Sequence, residues 1–181
     1  GIPVATPARA ALDLGRHLKR DKALAHLDAL SSATGLTAGE VLALAERYKG
    51  TNGVRKCREA VDLMDAGAQS PKETWLRLLL IDDGFPRPVT QIPLFEPNGY
   101  AFAYLDMGWP ELKIAVEYDG EHHRTDTDQY RWDARRLRKI LALGWIHIRV
   151  ITGDRPYEIR RRVTDAWLLR QSEGMAVKMP A

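Results

Sequence analysis

Apolar residues recur along this chain first at helical and later at strand spacing, and the change falls near residue 70. Thr6 followed by Pro7 reads as an N-cap with proline at the first helical position, and Ala11, Leu12, Leu14 and Leu18 then predict a helix to about Arg20. Leu24, Leu27 and Leu30 predict a second helix, ended by the breaker cluster Ser31–Gly35. Thr37 and Glu40 have the spacing of a capping box before Val41, Leu42, Leu44, Ala45 and Tyr48. Val61, Leu63 and Met64 mark a fourth helix from about Val54 to Asp65. Residues 1–69 thus read as a small all-helical packing region, since periodicity of this kind marks a buried helix face.

Gly67–Ser70 is the expected boundary, and residues 70–181 are expected to form a separate domain. Ser70-Pro71-Lys72-Glu73 opens a helix carrying Trp75, Leu76, Leu78, Leu79, Leu80 and Ile81. Strands are expected at Val89–Leu94, Tyr100–Trp109 and Leu112–Asp119, the last two joined near Pro110-Glu111. A long helical pattern over Asp126–Leu143 is stopped by Gly144. Trp145–Ile151 then alternates as a strand with His147 and Arg149 as its polar positions, before a closing helix at Tyr157–Arg170. This order predicts an α/β domain, a mixed sheet flanked by helices, with its last two strands parallel neighbours across a crossover helix.

Composition narrows the function classes. With 181 residues, 45% hydrophobic and 28% charged, the chain buries a real core and is neither a fibre nor disordered. Lys and Arg exceed Asp and Glu by 27 to 24. The excess is crowded: Arg131, Arg135, Arg136, Arg138 and Lys139 share one segment, and Arg155, Arg160, Arg161 and Arg162 the next. Such clustering favours a polyphosphate partner over an anionic membrane. Cys57 is alone, which excludes a disulfide framework and a cysteine metal knuckle. No apolar run is long enough to span a bilayer and no signal peptide is visible, so the reading is cytoplasmic by default. The opening GIPVATPARA reads as a piece of something longer, and oligomeric state, a homodimer included, is left open.

The candidate chemistry lies in Tyr104–His123, YLDMGWPELKIAVEYDGEHH. Strand alternation puts Glu117 and Asp119 on one face. A turn at Pro110-Glu111 would set Asp106 opposite Ala115 and diagonal to Glu117, about 7 Å apart. Carboxylates this close repel unless a cation or a shared proton lies between them. Carboxylate oxygens suit Mg²⁺ or Mn²⁺. His122 or His123 could protonate a leaving oxygen or orient water. The competing reading has Asp106 at a strand end, and Glu117 and Asp119 in salt bridges to arginines of the neighbouring helix.

Three segments in order, SPKETWLRLLLIDDGFPRPVTQ, YLDMGWPELKIAVEYDGEHHR and DQYRWDARRLRKILALGWIHIRVITGD, resemble the DUF559 endonuclease-like domain family. That family is related to the very-short-patch repair endonucleases within the PD-(D/E)XK superfamily. The resemblance covers about residues 70–154 and implies a restriction-endonuclease-like fold and a Mg²⁺- or Mn²⁺-dependent endodeoxyribonuclease. It also implies Asp106 and Glu117 as metal ligands, Asp119 where the superfamily carries lysine, and Glu73 as an acidic residue of the first core helix. Loss of the lysine removes a cation that would stabilise charge in the transition state. Glu73 has a second reading, since Ser70 and Glu73 have capping-box spacing. Residues 1–66 resemble the helical linker that follows a winged-helix module of the AbiEi antitoxin type.

Along the helix Asp126–Leu143, Tyr130, Leu137, Ile140 and Leu141 are expected to pack, with Trp132 a further candidate for packing, and Arg131, Arg135, Arg138 and Lys139 lie opposite, as nucleic-acid contacts or as a solvated charged face. The partner expected is DNA. Two readings rival it: a DNA-binding module with an inactive nuclease fold, as in one half of a toxin–antitoxin or defence system, and a helical-plus-α/β interaction scaffold whose charges are merely solvated. Gln91 reads first as a core-strand residue and second as a neighbour of the carboxylates, Arg149 either faces the carboxylates or pairs with Asp133, and His17, His26 and His147 have no ligand-like spacing and read as structural or exposed.

Overall fold

A computed structural model describes residues 4–120 and 127–175, without the side chains of 127–130. The chain divides into two compact units, Gly1–Leu78 and Leu79–Ala181. The division falls inside a helix rather than at Gly67–Ser70, because Leu78 packs into the core of the helical unit.

The first unit holds α1 (Pro7–His17), α2 (Arg20–Thr34), α3 (Ala38–Glu46), α4 (Val54–Asp62) and the start of α5 (Pro71–Asp82). The Thr6 hydroxyl accepts from the Arg9 N–H, and Thr37 with Glu40 forms a reciprocal capping box. The first two helices meet earlier than the apolar spacing predicts, because Leu18 and Lys19 are extended. Leu12, Leu24, Leu27, Val41, Cys57 and Val61 form the core. Beside it lies a buried ion pair: Asp28 accepts from Arg77 at 2.8 Å, from the Thr74 hydroxyl at 2.8 Å and from the Asp65 N–H at 2.8 Å.

The second unit is built on a four-stranded sheet in the order β1 (Val89–Phe95), β2 (Ala101–Trp109), β3 (Ile114–Asp119), β4 (Ile146–Ile151). β1–β2 and β2–β3 are antiparallel, and β3–β4 is parallel, as the crossover through α6 (Thr127–Ala142) requires. The sheet is mixed and flanked by helices, as the element order predicts. Trp167 of α7 (Pro156–Ser172) meets Trp109 edge-on at 5.0 Å, and Phe85 lies within 5.8 Å of both rings.

The β2–β3 register differs from expectation by two residues. Trp109 pairs with Ile114, Gly108 with Ala115 and Met107 with Val116, so Ala115 is not opposite Asp106. The connection is longer because Pro110–Leu112 forms a turn of 3₁₀ helix and Lys113 follows in the left-handed region at φ 48°. A shift of two preserves the faces. Continued by one pair, this register sets Asp106 directly across from Glu117 rather than diagonal to it.

Candidate functional site

Glu117 is the centre of the constellation. It is 8% exposed, on the same face of β3 as Ala115, and its charge is compensated from two elements. Arg136 of α6 donates to both carboxylate oxygens, Nη1 to Oε2 at 3.0 Å and Nη2 to Oε1 at 2.5 Å, and Nη2 also donates to the Tyr104 carbonyl at 3.0 Å. His147 Nε2 on β4 lies 2.5 Å from Glu117 Oε2. Burial pushes the Glu117 carboxyl up, but the hydrogen bonds from His147 and Arg136 and the Arg136 charge outweigh it and hold the group at about 2. The carboxylate is therefore ionised at neutral pH and accepts only, so the proton in the short contact sits on His147 Nε2. Burial works to lower the Arg136 pKa, but Glu117, Asp106 and Asp133 together raise it.

Asp106 is half-buried on β2, and its Oδ2 accepts from the Tyr118 N–H at 2.9 Å. A side chain thus takes a β3 amide just past the Met107–Val116 pair. Asp119 is ion-paired with Arg149 of β4. The parallel register explains both β4 contacts. Ala115 pairs with His147 and Glu117 with Arg149, so each β4 side chain reaches one step along β3, His147 to Glu117 and Arg149 to Asp119. Gln91 has φ 50°, and its register position between Thr90 and Ile92 falls across from Asp106.

Glu117 is thus joined to Arg136 and His147, Asp119 to Arg149, and Asp106 to the Tyr118 amide. His122 and His123 lie outside the described residues. Glu73 belongs to the first unit and performs the helix-opening role: its N–H donates to Ser70 Oγ at 3.1 Å, and its Oε2 accepts from the Gln69 N–H at 2.9 Å. Arg136 and His147 are the site residues that sequence reasoning passed over. His147 carried a usable signal, because H-x-R on β4 faces E-x-D on β3 once the two strands are parallel neighbours. Arg136 did not stand out from its basic neighbours. What distinguishes it is its turn of the helix, one turn before buried Ile140.

The rest of α6 corrects the amphipathic reading. Ile140 is buried, but Leu137 and Leu141 are exposed, and the Tyr130 side chain lies outside the described residues. Arg131, Arg135, Arg138 and Lys139 are exposed. Arg135, Arg138 and Lys139 line a groove of about 640 Å³ with Phe102, Trp132 and Arg136. Lys139 is ion-paired with Glu96 and stands 5.2 Å over the Phe102 ring.

The donor chemistry suits a hard divalent cation, being two carboxylates at one level of adjacent strands. Glu117 would join such a site by exchanging a contact to Arg136 or His147. Among the described residues, no group of three or more His, Cys, Asp and Glu is arranged to hold a metal ion. No described helix is long and apolar enough to cross a membrane.

The molecule so defined is a four-stranded mixed α/β unit with a carboxylate pair beside a cationic helix, accompanied by a helical unit. The chain is similar to two uncharacterized proteins of Mycobacterium tuberculosis, MT2308 of strain CDC 1551 / Oshkosh and Rv2248 of strain ATCC 25618 / H37Rv. It is 32% identical to each over 149 residues, covering 82% of this chain and 54% of each relative. The chain thus spans about half the length of the curated relatives it matches. No family model matches it, and no solved structure matches it.

Proposed function

We propose that this chain is a metal-dependent endonuclease acting on DNA phosphodiesters, related to the DUF559 and very-short-patch repair enzymes and built on a restriction-endonuclease-like core. The observation that supports it is the placement of Asp106 and Glu117, each one residue beyond the Met107–Val116 pair of adjacent strands, beside a helix whose outer side lines a basic groove. Asp106 and Glu117 would hold Mg²⁺ or Mn²⁺, with Asp119 assisting. Bound there, the ion would polarise the phosphoryl group and lower the pKa of a bound water. Arg136 keeps Glu117 ionised and in place. It also brings beside the carboxylates the positive charge that a strand lysine would have carried.

The second reading, a DNA-binding module without cleavage, is favoured by one specific observation. Both Glu117 oxygens are already engaged by Arg136 and His147, and Asp119 by Arg149. Nicking of supercoiled plasmid separates the two. The enzyme reading expects nicking with Mg²⁺ or Mn²⁺ that disappears in EDTA and in Glu117→Ala. Plasmid binding that Asp106→Ala leaves intact, with no nicking by the unaltered chain in either metal, would retire it.

A further inference from the structure

We infer that the groove between α6 and β2 is a binding site for a single strand of nucleic acid, with Trp132 as the stacking platform for an unpaired base. This rests on the nucleic-acid partner of the proposed function but not on cleavage.

The walls of the groove carry two kinds of group that seldom share a surface without a ligand. One is cationic. Among the described residues, neither Arg135 nor Arg138 has a carboxylate partner, whereas Arg136 and Lys139 in the same groove are paired with Glu117 and Glu96. Two guanidiniums in one concavity with no carboxylate partner among the described residues favour an anionic occupant. The other is aromatic. Trp132 is 52% exposed, and among the described residues no ring or cation stacks on it, while the Phe102 ring is covered by Lys139. An exposed indole sharing a groove with two arginines that have no carboxylate partner among the described residues matches the chemistry of a strand whose phosphates meet the cations and whose bases meet the π-face.

The strandedness follows from the same features. In a duplex the base faces are stacked on each other, so an indole finds no free π-surface except at an extruded or terminal base. The positive charges also line a concavity of about 640 Å³ instead of standing out on a convex helix face.

Anisotropy of a labelled oligothymidylate, measured in EDTA against a labelled blunt-ended duplex, tests this without requiring cleavage. Expected are at least about tenfold tighter binding of the single strand, about tenfold loss in Trp132→Ala and recovery in Trp132→Phe, as base–aromatic stacking predicts. In the Arg135→Ala, Arg138→Ala double variant, the slope of log K against log salt should fall by about 0.7 for each phosphate that is no longer neutralised. Trp132 and both arginines are exposed, and circular dichroism checks that the variants stay folded. Duplex bound as tightly as the single strand, or Trp132→Ala binding unchanged, overturns the inference and leaves the proposed function standing. Absence of binding to either probe overturns the inference, and plasmid nicking with Mg²⁺ or Mn²⁺ decides the proposed function separately.

Discussion

At the residue scale, the decisive feature is a buried glutamate whose charge is answered by side chains from a helix and a neighbouring strand. Glu117 is held by Arg136 and His147, and both of its oxygens accept hydrogen bonds. Removing a partner of a buried pair costs more than the pair itself is worth, because an uncompensated charge stays behind. Arg136→Ala should therefore lower stability by about 3 kcal/mol; urea denaturation measures this, and a loss near zero would mean that water replaces the guanidinium. The pH dependence has a definite sign. The folded carboxyl titrates at about 2 against an ordinary value of 4.5, so between these values the unfolded chain binds more protons. Its contribution is complete above pH 4.5 and is lost as pH falls through about 2. Glu117→Gln should flatten the fall in stability across that window, and an unchanged acid slope in urea titrations would show that other carboxylates dominate it.

At the element scale, the β2–β3 connection sets the chemistry. Pro110 cannot donate to a ladder, and the 3₁₀ turn with left-handed Lys113 lengthens the loop by two residues. That places Asp106 level with Glu117. The strands come close at Gly108, where a Cβ would stand 2.1 Å from the Ile114 carbonyl oxygen. Gly108→Ala should accordingly cost about 1–3 kcal/mol and loosen the carboxylate pair. Thermal unfolding gives the first outcome, and loss of protection at the Tyr118 amide by hydrogen exchange the second. An unshifted melting temperature would mean that β3 can move away without penalty. The same scale explains Glu73. Ser70-x-x-Glu73 is a helix-opening signal, and the structure uses it as one.

At the scale of the whole molecule, the chain is two compact units with separate cores. The Asp28–Arg77 pair, 1% and 0% exposed, lies in the first. Arg77→Ala should destabilise that unit by about 3 kcal/mol or more, leaving a buried carboxylate with the Thr74 and Asp65 donors alone. Amide exchange should then quicken through α1–α4 and stay slow in β2–β4. Equal quickening in the sheet would show that the units open together.

Much of the fold was legible in the residue pattern, because helical and strand periodicities record which face of each element is buried. The four N-terminal helices, the order of the sheet elements and the parallel β3–β4 pair follow from local pattern and chain connectivity. So does the shared face of Glu117 and Asp119. The register of β2 on β3 did not, since a two-residue shift keeps every side chain on its face and leaves no trace in the pattern. Nor did the choice of Arg136 among five basic residues of one segment. Which arginine turns inward depends on the rotation of α6 against the sheet, and Ile140 in its buried position decides that through packing. Sequence alone thus determined the elements and the chemistry available to them; tertiary structure decided which charges meet, because meeting is a matter of register and helix rotation.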